Sequence, residues 1–135
     1  MKLRVVWIGK TKDPSTAKLC ADYAARIKQF LPLEVAEVKE LKLDPSDRIV
    51  ALDPNGKSWT SHGFAKFLQQ HMTSDPRRLT FLIGDYSGLS EVVRKKADVL
   101  WSLSPLTFTH DLTRVLLLEQ IYRALTIINN LPYAR

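Results

Sequence analysis

Short apolar runs rich in β-branched residues alternate along the chain with longer segments whose apolar residues recur at helical spacing. The short runs are bounded by Gly, Pro, Asp or Ser, which is typical of strands. The predicted strands are Leu3 to Ile8, Leu33 to Val38, Arg48 to Leu52, Leu79 to Ile83 and a short one around Trp101 to Leu103. The predicted helices are Ser15 to Phe30, Ser61 to Met72, Ser90 to Val99 and Thr109 to Asn129, with Ser61 and Ser90 as N-caps.

The order of these elements is β-α-β-β-α-β-α-β-α, which indicates an α/β fold with a mostly parallel sheet and helices on both faces. The chain has no internal repeat and no long linker, so residues 1–135 are expected to form a single domain. Such sheets bind ligands in the loops at the carboxyl ends of their strands. The loops predicted to form a site are Asp53 to Trp59, Gly84 to Gly88 and Ser102 to Phe108.

Gly84 ends a hydrophobic strand and is followed four residues later by Gly88. Glycine at this place allows a ligand to approach the backbone, so we expect a larger side chain at Gly84 to clash with that ligand. A tight turn from strand to helix is the alternative, because neither a G-x-G-x-x-G fingerprint nor a P-loop is present. Asp85 either binds ribose or amino groups or caps the turn.

The last predicted helix carries apolar residues around nearly its whole circumference. A helix of this kind is buried on more than one side. A sheet on one side and a partner subunit on the other would cover it, which predicts a homodimer; a central helix in a monomer is the alternative. Glu119 and Arg123 are spaced to pair, whereas Arg114 is expected to face substrate or solvent.

Composition is that of a globular protein, with 45% hydrophobic and 25% charged residues. The 20 Lys and Arg against 14 Asp and Glu give a net charge of +6, which favours polyanionic partners such as RNA, with solvated surface lysines as the alternative. No apolar run approaches the roughly 20 residues of a membrane span and no export signal is visible. A cytoplasmic protein without a membrane partner is therefore expected. The single cysteine, Cys20, excludes an internal disulfide and is expected to be a buried apolar residue.

Three histidines are present, His62, His71 and His110, without metal-ligand spacing, so no metal site is predicted. His62 and His71 are expected at the surface, and only His110 lies beside a candidate loop. Motifs of serine hydrolases and zinc proteases are missing from the sequence. Methyl transfer needs little such apparatus, because the donor is already activated and the enzyme chiefly aligns the reactants.

Long ungapped motifs resemble the ribosomal RNA large subunit methyltransferase H family over nearly the whole chain. The motifs are Leu82-Ile83-Gly84, Gly88-Leu89-Ser90, Trp101 to His110 with its Ser-Leu-Ser-x-Leu-Thr-x-x-His pattern, Arg114 to Ala124 with Arg-Val-Leu-x-x-Glu-x-x-Tyr-Arg, and Asn130 to Arg135.

The resemblance implies a SPOUT-type fold with a C-terminal trefoil knot that forms the cofactor pocket. It implies a homodimer that uses S-adenosylmethionine to methylate N3 of a pseudouridine in large-subunit ribosomal RNA, on assembled ribosomes. The cofactor contacts implied by position, largely through backbone and apolar surface, are Leu52, Gly84, Leu103, Ser104, Pro105, Leu106, Thr107 and Phe108.

The RNA side of the pocket is predicted at Arg114, Arg123, Tyr133 and Arg135, with His110 nearby, because arginines can hold phosphates and a tyrosine ring can stack on an extruded base, and the resemblance places the tail at this mouth. A frayed tail with surface arginines is the alternative. Glu119 or water is left to take the N3 proton. The family reads Gly-Gly-Pro-x-Gly where this chain has Gly84-Asp85-Tyr86-Ser87-Gly88, and it has histidines on both sides of the tail Pro-Tyr that are missing here. Slower methylation than that of a typical member is therefore expected.

Two other functions stay open at this point. A ribosome-binding or assembly factor would keep the fold and the RNA contacts but have impaired catalysis. A monomeric nucleotide-binding signalling domain would need an exposed, polar last helix, which this sequence lacks.

Overall fold

A computed structural model describes residues 1–133 and contains one five-stranded sheet in which every pairing is parallel. The strands are β1 Leu3–Ile8, β2 Leu33–Val38, β3 Arg48–Lys57, β4 Leu79–Ile83 and β5 Val99–Trp101. The helices are α1 Pro14–Lys28, α2 Ser61–Ser74, α3 Glu91–Lys96 and α4 His110–Ile128. The spatial order of the strands is β2-β1-β4-β3-β5.

Both faces of the sheet are covered, which confirms the predicted fold class. On one face α1, α2 and α4 pack over the larger core, which includes Val5, Phe64, Phe81 and Leu118. On the other face α3 and the segment after β2 cover a smaller cluster around Val6, Ile49 and Leu82. This arrangement leaves the loops at the carboxyl ends of the strands free to form a site.

The boundaries of β1, β2 and β4 are those predicted, whereas β3, β5 and α3 differ. β3 continues through Asp53 to Lys57 because a bulge brings Lys57 into register with Trp101, and Ser102 N donates to Lys57 O at 2.8 Å. α3 is shorter and β5 begins earlier than predicted because Asp98 N donates to Ile49 O at 2.9 Å, which takes the chain into the sheet.

Side-chain oxygens cap the helices at the residue before each begins. Ser90 Oγ accepts from Val93 N at 3.3 Å, which confirms Ser90 as the cap of α3. The prediction for α2 was wrong by one residue: Thr60 has extended backbone angles and its Oγ1 accepts from Gly63 N at 3.0 Å.

The helix α4 lies between α1 and α2 against the sheet, and Leu117, Leu118, Ile121 and Leu125 are completely buried within the chain. The chain's own elements therefore cover the side of α4 that carries these four residues, as in the alternative of a central core helix, and that side does not by itself require a partner subunit. The other apolar residues of α4 are half-buried or exposed: Leu112, Leu116, Tyr122, Ile127 and Ile128.

Within residues 1–133, no helix combines the length and the apolar character needed to cross a membrane.

Candidate functional site

The carboxyl ends of β3, β4 and β5, which are neighbours in the sheet, surround a cavity of about 200 Å³ that we call the inner cavity. It is lined by residues 52–54, 83–86, 88, 101–104, 106–108, 110 and 113. The predicted loops Gly84 to Gly88 and Ser102 to Phe108 converge here, because parallel strands bring their carboxyl ends to one edge. The prediction of a loop from Asp53 to Trp59 was wrong, since β3 continues to Lys57, and only Asp53 and Pro54 of that segment line the cavity. All predicted cofactor residues line this cavity except Pro105, which is exposed in the same loop.

The β3 side of the inner cavity contributes Leu52 and a fixed carboxylate, Asp53. Asp53 is 7% exposed, accepts from Asn55 N at 2.8 Å and pairs with Arg94 Nε of α3 at 2.8 Å. Two such partners hold this buried carboxylate in position. Sequence reasoning placed Asp53 in a candidate loop but assigned it no role; its signal was its place directly after a buried strand.

On the β4 side, Gly84 is required by the chain's own backbone. A Cβ at this position would lie 2.7 Å from both the carbonyl carbon and oxygen of Gly88, which itself has a positive φ of +86°. This close approach fits the alternative of a tight turn, and the expectation that a larger side chain at Gly84 clashes with a ligand stays a prediction. Such a side chain would first force apart the two ends of the Gly84 to Gly88 turn.

Asp85 shapes the same turn, which is one of the two alternatives left open by the sequence. Its Oδ1 accepts from Ser87 N at 2.9 Å and from Ser87 Oγ at 2.6 Å. The Ser87 hydroxyl, followed by the Ser87 amide, lowers the pKa of Asp85 below its ordinary value, and the charge of His110 adds a smaller effect in the same direction. The carboxylate is thus ionised at neutral pH.

The loop after β5 supplies the third side of the inner cavity and is held by its own serines. Ser102 is buried and its Oγ donates to Ser104 O at 3.1 Å, while Ser104 Oγ accepts from Leu106 N at 3.0 Å. Leu103 and Phe108 are half-buried and Leu106 is 73% exposed. Apolar side chains of a loop held by its own hydrogen bonds therefore line this side of the cavity.

His110 begins α4 and lines both the inner cavity and a neighbouring, wider cavity of about 680 Å³, which we call the outer groove. The outer groove is lined by Asp13, Thr16, Tyr86 and residues 107–112. Tyr86, Thr107, Phe108 and His110 line both spaces. The inner cavity and the outer groove are therefore neighbours that share these four residues.

Arg114 does not face substrate or solvent, so that expectation was wrong. It is 3% exposed, and its guanidinium donates to Ile8 O at 2.7 Å and to Thr11 Oγ1 at 2.9 Å. It also lies 3.9 Å from carboxylate oxygens of Glu37 and Asp111. Arg114 therefore joins the start of α4 to the loop after β1 and does not line the inner cavity.

Glu119 and Tyr133 lie together, at a distance from the inner cavity. Glu119 accepts from Arg123 Nε at 3.2 Å, from Gln120 Nε2 at 2.8 Å and from the Tyr133 hydroxyl at 3.0 Å. Burial, followed by the Tyr23 hydroxyl and Glu119, raises the pKa of Tyr133 above its ordinary value. Glu119 is nine residues beyond His110, which is about 13 Å along a helix.

The structure thus divides the predicted catalytic residues. His110 lines the inner cavity, Arg114 is enclosed, and Glu119 and Tyr133 form a separate cluster with Arg123. Arg135 lies outside the described residues. Among residues 1–133, no group of three His, Cys, Asp or Glu side chains is arranged to hold a metal ion.

Comparison with known proteins agrees with this geometry. Residues 1–134 match the model of a family described as predicted SPOUT methyltransferase. A solved structure of a probable methyltransferase from Bordetella pertussis has a TM-score of 0.59 at 12% identity, covering 91% of this chain and 95% of the other. At that identity, the likeness shows the fold alone.

The chain belongs to the SPOUT methyltransferase family. A relative from Trichlorobacter lovleyi is 41% identical over 98% of this chain and 99% of its own length, and one from Pelobacter propionicus is 37% identical over the same shares. Both are named ribosomal RNA large subunit methyltransferase H. The resemblance found in the sequence is thereby confirmed.

Proposed function

We propose that this protein transfers the methyl group of S-adenosylmethionine to N3 of a pseudouridine in large-subunit ribosomal RNA. The observation that carries the proposal is the inner cavity at the carboxyl ends of β3, β4 and β5. The similarity of nearly the whole chain to relatives named ribosomal RNA large subunit methyltransferase H supports it. Impaired catalysis on the same fold is not favoured, because the loops that form the cavity are all in place.

The residues around the inner cavity fit S-adenosylmethionine. Leu52, Ile83, Leu103 and Phe108 offer apolar surface for an adenine ring. Asp53, Ser102, Ser104 and Thr113 offer polar groups of the kind that hold ribose and amino-acid moieties. When bound, S-adenosylmethionine supplies a methyl group on a positively charged sulfur, which is already activated for transfer.

His110 is the predicted catalytic residue that lies where the two spaces meet, and we assign it to the N3 proton. An imidazole nitrogen is able to accept a proton at neutral pH. Glu119 is poorly placed for this role, because three hydrogen bonds hold its carboxylate beside Arg123 and Tyr133. Tyr133 and Arg135 stay assigned to the handling of RNA near the tail.

The proposal extends to the setting of the reaction. The net charge of +6 suits a polyanionic substrate, either ribosomal RNA or the assembled ribosome. A homodimer, a cytoplasmic location and a C-terminal trefoil knot are further parts of the proposal, and they rest on the family resemblance. Light scattering at micromolar concentration tests the homodimer directly, and a monomer there would contradict it.

The cofactor site is tested by calorimetry with S-adenosylmethionine on two matched variants. Leu106→Glu places a charge at an exposed position that lines the inner cavity, whereas Val92→Glu places one on α3, 61% exposed and away from it. We expect Leu106→Glu to weaken binding at least tenfold, because an apolar surface is replaced by a charge that must be desolvated. Val92→Glu should bind as the wild type does.

Methyl incorporation into ribosomes that lack the modification completes the test. Transfer by the wild type with the Leu106→Glu variant impaired is the expected pattern. A wild-type protein that binds no S-adenosylmethionine, or binds it and transfers nothing, would contradict the proposed function. Equal binding by both glutamate variants would show that the cofactor lies elsewhere.

A further inference from the structure

Tyr86 is the most exposed of the large hydrophobic side chains described, at 91%. It stands in the turn between β4 and α3, which is ordered by other residues: Asp85 Oδ1 accepts from Ser87 N and Oγ, and Gly88 N donates to Asp85 O at 2.8 Å. The ring contributes nothing visible to the core. The turn is thus ordered without the ring, which leaves the Tyr86 side chain free to contact a ligand.

The position of Tyr86 relates this surface to the chemistry. Tyr86 and Phe108 both line the inner cavity and the outer groove, so two aromatic rings lie where the two spaces adjoin. The remaining lining of the outer groove includes three threonines, Thr16, Thr107 and Thr109, and the carboxylates of Asp13 and Asp111. Asp13 accepts from Thr16 N and Oγ1, and Asp111 accepts from Asp13 N, so both carboxylates are engaged within the chain. A flat ring and nearby polar side chains match the two needs of a nucleobase, a stacking surface and partners for its edge.

We infer that the outer groove receives the target nucleobase of the RNA, turned out of its stack, with its face against the Tyr86 ring. This rests on the proposed function. Enzymes that modify a base take it out of the stack, and an aromatic side chain then replaces part of the lost stacking. From the outer groove, the base edge faces the inner cavity, where the proposal places the methyl donor. Tyr86 is thus a substrate-binding residue.

The test compares Tyr86→Ala with Tyr86→Phe, which keeps the ring and loses only the hydroxyl. Tyr86→Ala should raise the KM for unmodified ribosomes, and the dissociation constant for a ribosomal RNA fragment that spans the target, about tenfold. Tyr86→Phe should stay within about twofold of the wild type, because stacking does not need the hydroxyl. Tyr86 also lines the inner cavity, so calorimetry with S-adenosylmethionine measures any separate effect on the cofactor. Tyr86→Phe should bind it as the wild type does, and Tyr86→Ala should lose less affinity for it than for RNA.

Val92→Ala is the matched control, since Val92 is also an exposed apolar residue but lies outside both spaces. It should leave RNA binding unchanged. Wild-type affinity for RNA in Tyr86→Ala overturns the inference. So does a change of molecular mass in light scattering for Tyr86→Ala, because it would assign the ring to a contact between two copies of the chain.

The outcomes for the inference and for the proposed function are distinct. A wild type that transfers no methyl group overturns both. An active wild type with an unaffected Tyr86→Ala variant overturns the inference alone. Weaker RNA binding by Tyr86→Ala, with a smaller loss of affinity for S-adenosylmethionine and an unchanged oligomeric state, supports the assignment.

Discussion

His71 of α2 is buried near the amino end of β3, where its imidazole is hydrogen-bonded to Arg48 and Arg77. The sequence predicted a surface histidine, but His71 is 1% exposed. Its Nε2 lies 2.9 Å from Arg77 O, and its Nδ1 lies 3.3 Å from Arg48 Nη1. Since Arg48 has only donors to offer, Nδ1 accepts and Nε2 donates, which fixes a neutral imidazole.

Burial lowers the pKa of His71 below the ordinary value of 6.5; the Arg77 carbonyl and the carboxylate of Asp75 oppose this shift, and the charges of Arg48 and Arg77 add to it. The unfolded chain therefore binds a proton at this imidazole more readily than the folded chain does. The stability that His71 contributes is present above a pH of about 6.5 and is lost as the pH falls below it.

Urea unfolding at pH 7 and pH 5 tests this with His71→Gln and with His62→Gln, an exposed histidine of the same helix. The wild type and His62→Gln should lose stability from pH 7 to pH 5. His71→Gln should start less stable and lose less, because its side chain does not titrate. An equal loss in all three proteins would show that other groups cause the pH dependence.

At the scale of elements, Arg114 decides how the start of α4 meets the loop after β1. It bonds to Ile8 O and Thr11 Oγ1, and Thr11 in turn donates to Glu37, which also accepts from Trp7 Nε1 at 2.9 Å. The first turn of α4 carries His110 at the inner cavity. Arg114 therefore fixes the position of the first turn of α4, and with it His110, without lining the inner cavity itself.

Replacing Arg114 by Met keeps much of the apolar stem but removes both donors and leaves the Ile8 carbonyl without its partner. We expect Arg114→Met to lower the free energy of unfolding by about 3 kcal/mol, since each of two charge-assisted hydrogen bonds is worth about 1.5 kcal/mol or more. Lys66→Met on the exposed face of α2 is the control and should change it by less than about 0.5 kcal/mol. Similar midpoints for both variants in urea would refute this role of Arg114.

For the whole molecule, the decisive feature is that α4 is enclosed by α1, α2 and the sheet of its own chain. The sequence left it open whether Leu117→Glu would dissociate a dimer or unfold the protein. Leu117 is 0% exposed within the single chain, so Leu117→Glu should unfold it, because burying a lone charge costs several kcal/mol. Leu112→Glu is the control: it lies in the first turn, is 49% exposed and should stay folded.

Circular dichroism with thermal melting distinguishes these variants, and light scattering reports their mass. A cooperatively folded, monomeric Leu117→Glu protein would contradict the enclosure of α4 and would instead favour an interface at that position.

The sequence by itself determined the elements, their order and the loops that form the site. These follow from local periodicity and from the alternation of strands and helices, which places the carboxyl ends of parallel strands along one edge. β1, β2 and β4 were predicted to the residue for this reason, whereas the ends of β3 and β5, beside the candidate site, depend on pairing between strands and were not. The family motifs lie in the same loops, so they indicated the same site.

Only the tertiary structure decided which polar side chains face that site. Arg114 contacts Ile8 and Thr11, more than 100 residues away in sequence, and Tyr133 contacts Tyr23 at a separation of 110. The burial of His71 depends likewise on Arg48 and Arg77, which other elements bring to it. Contacts of this kind depend on strand order and helix packing, and a periodic pattern along the chain does not encode them.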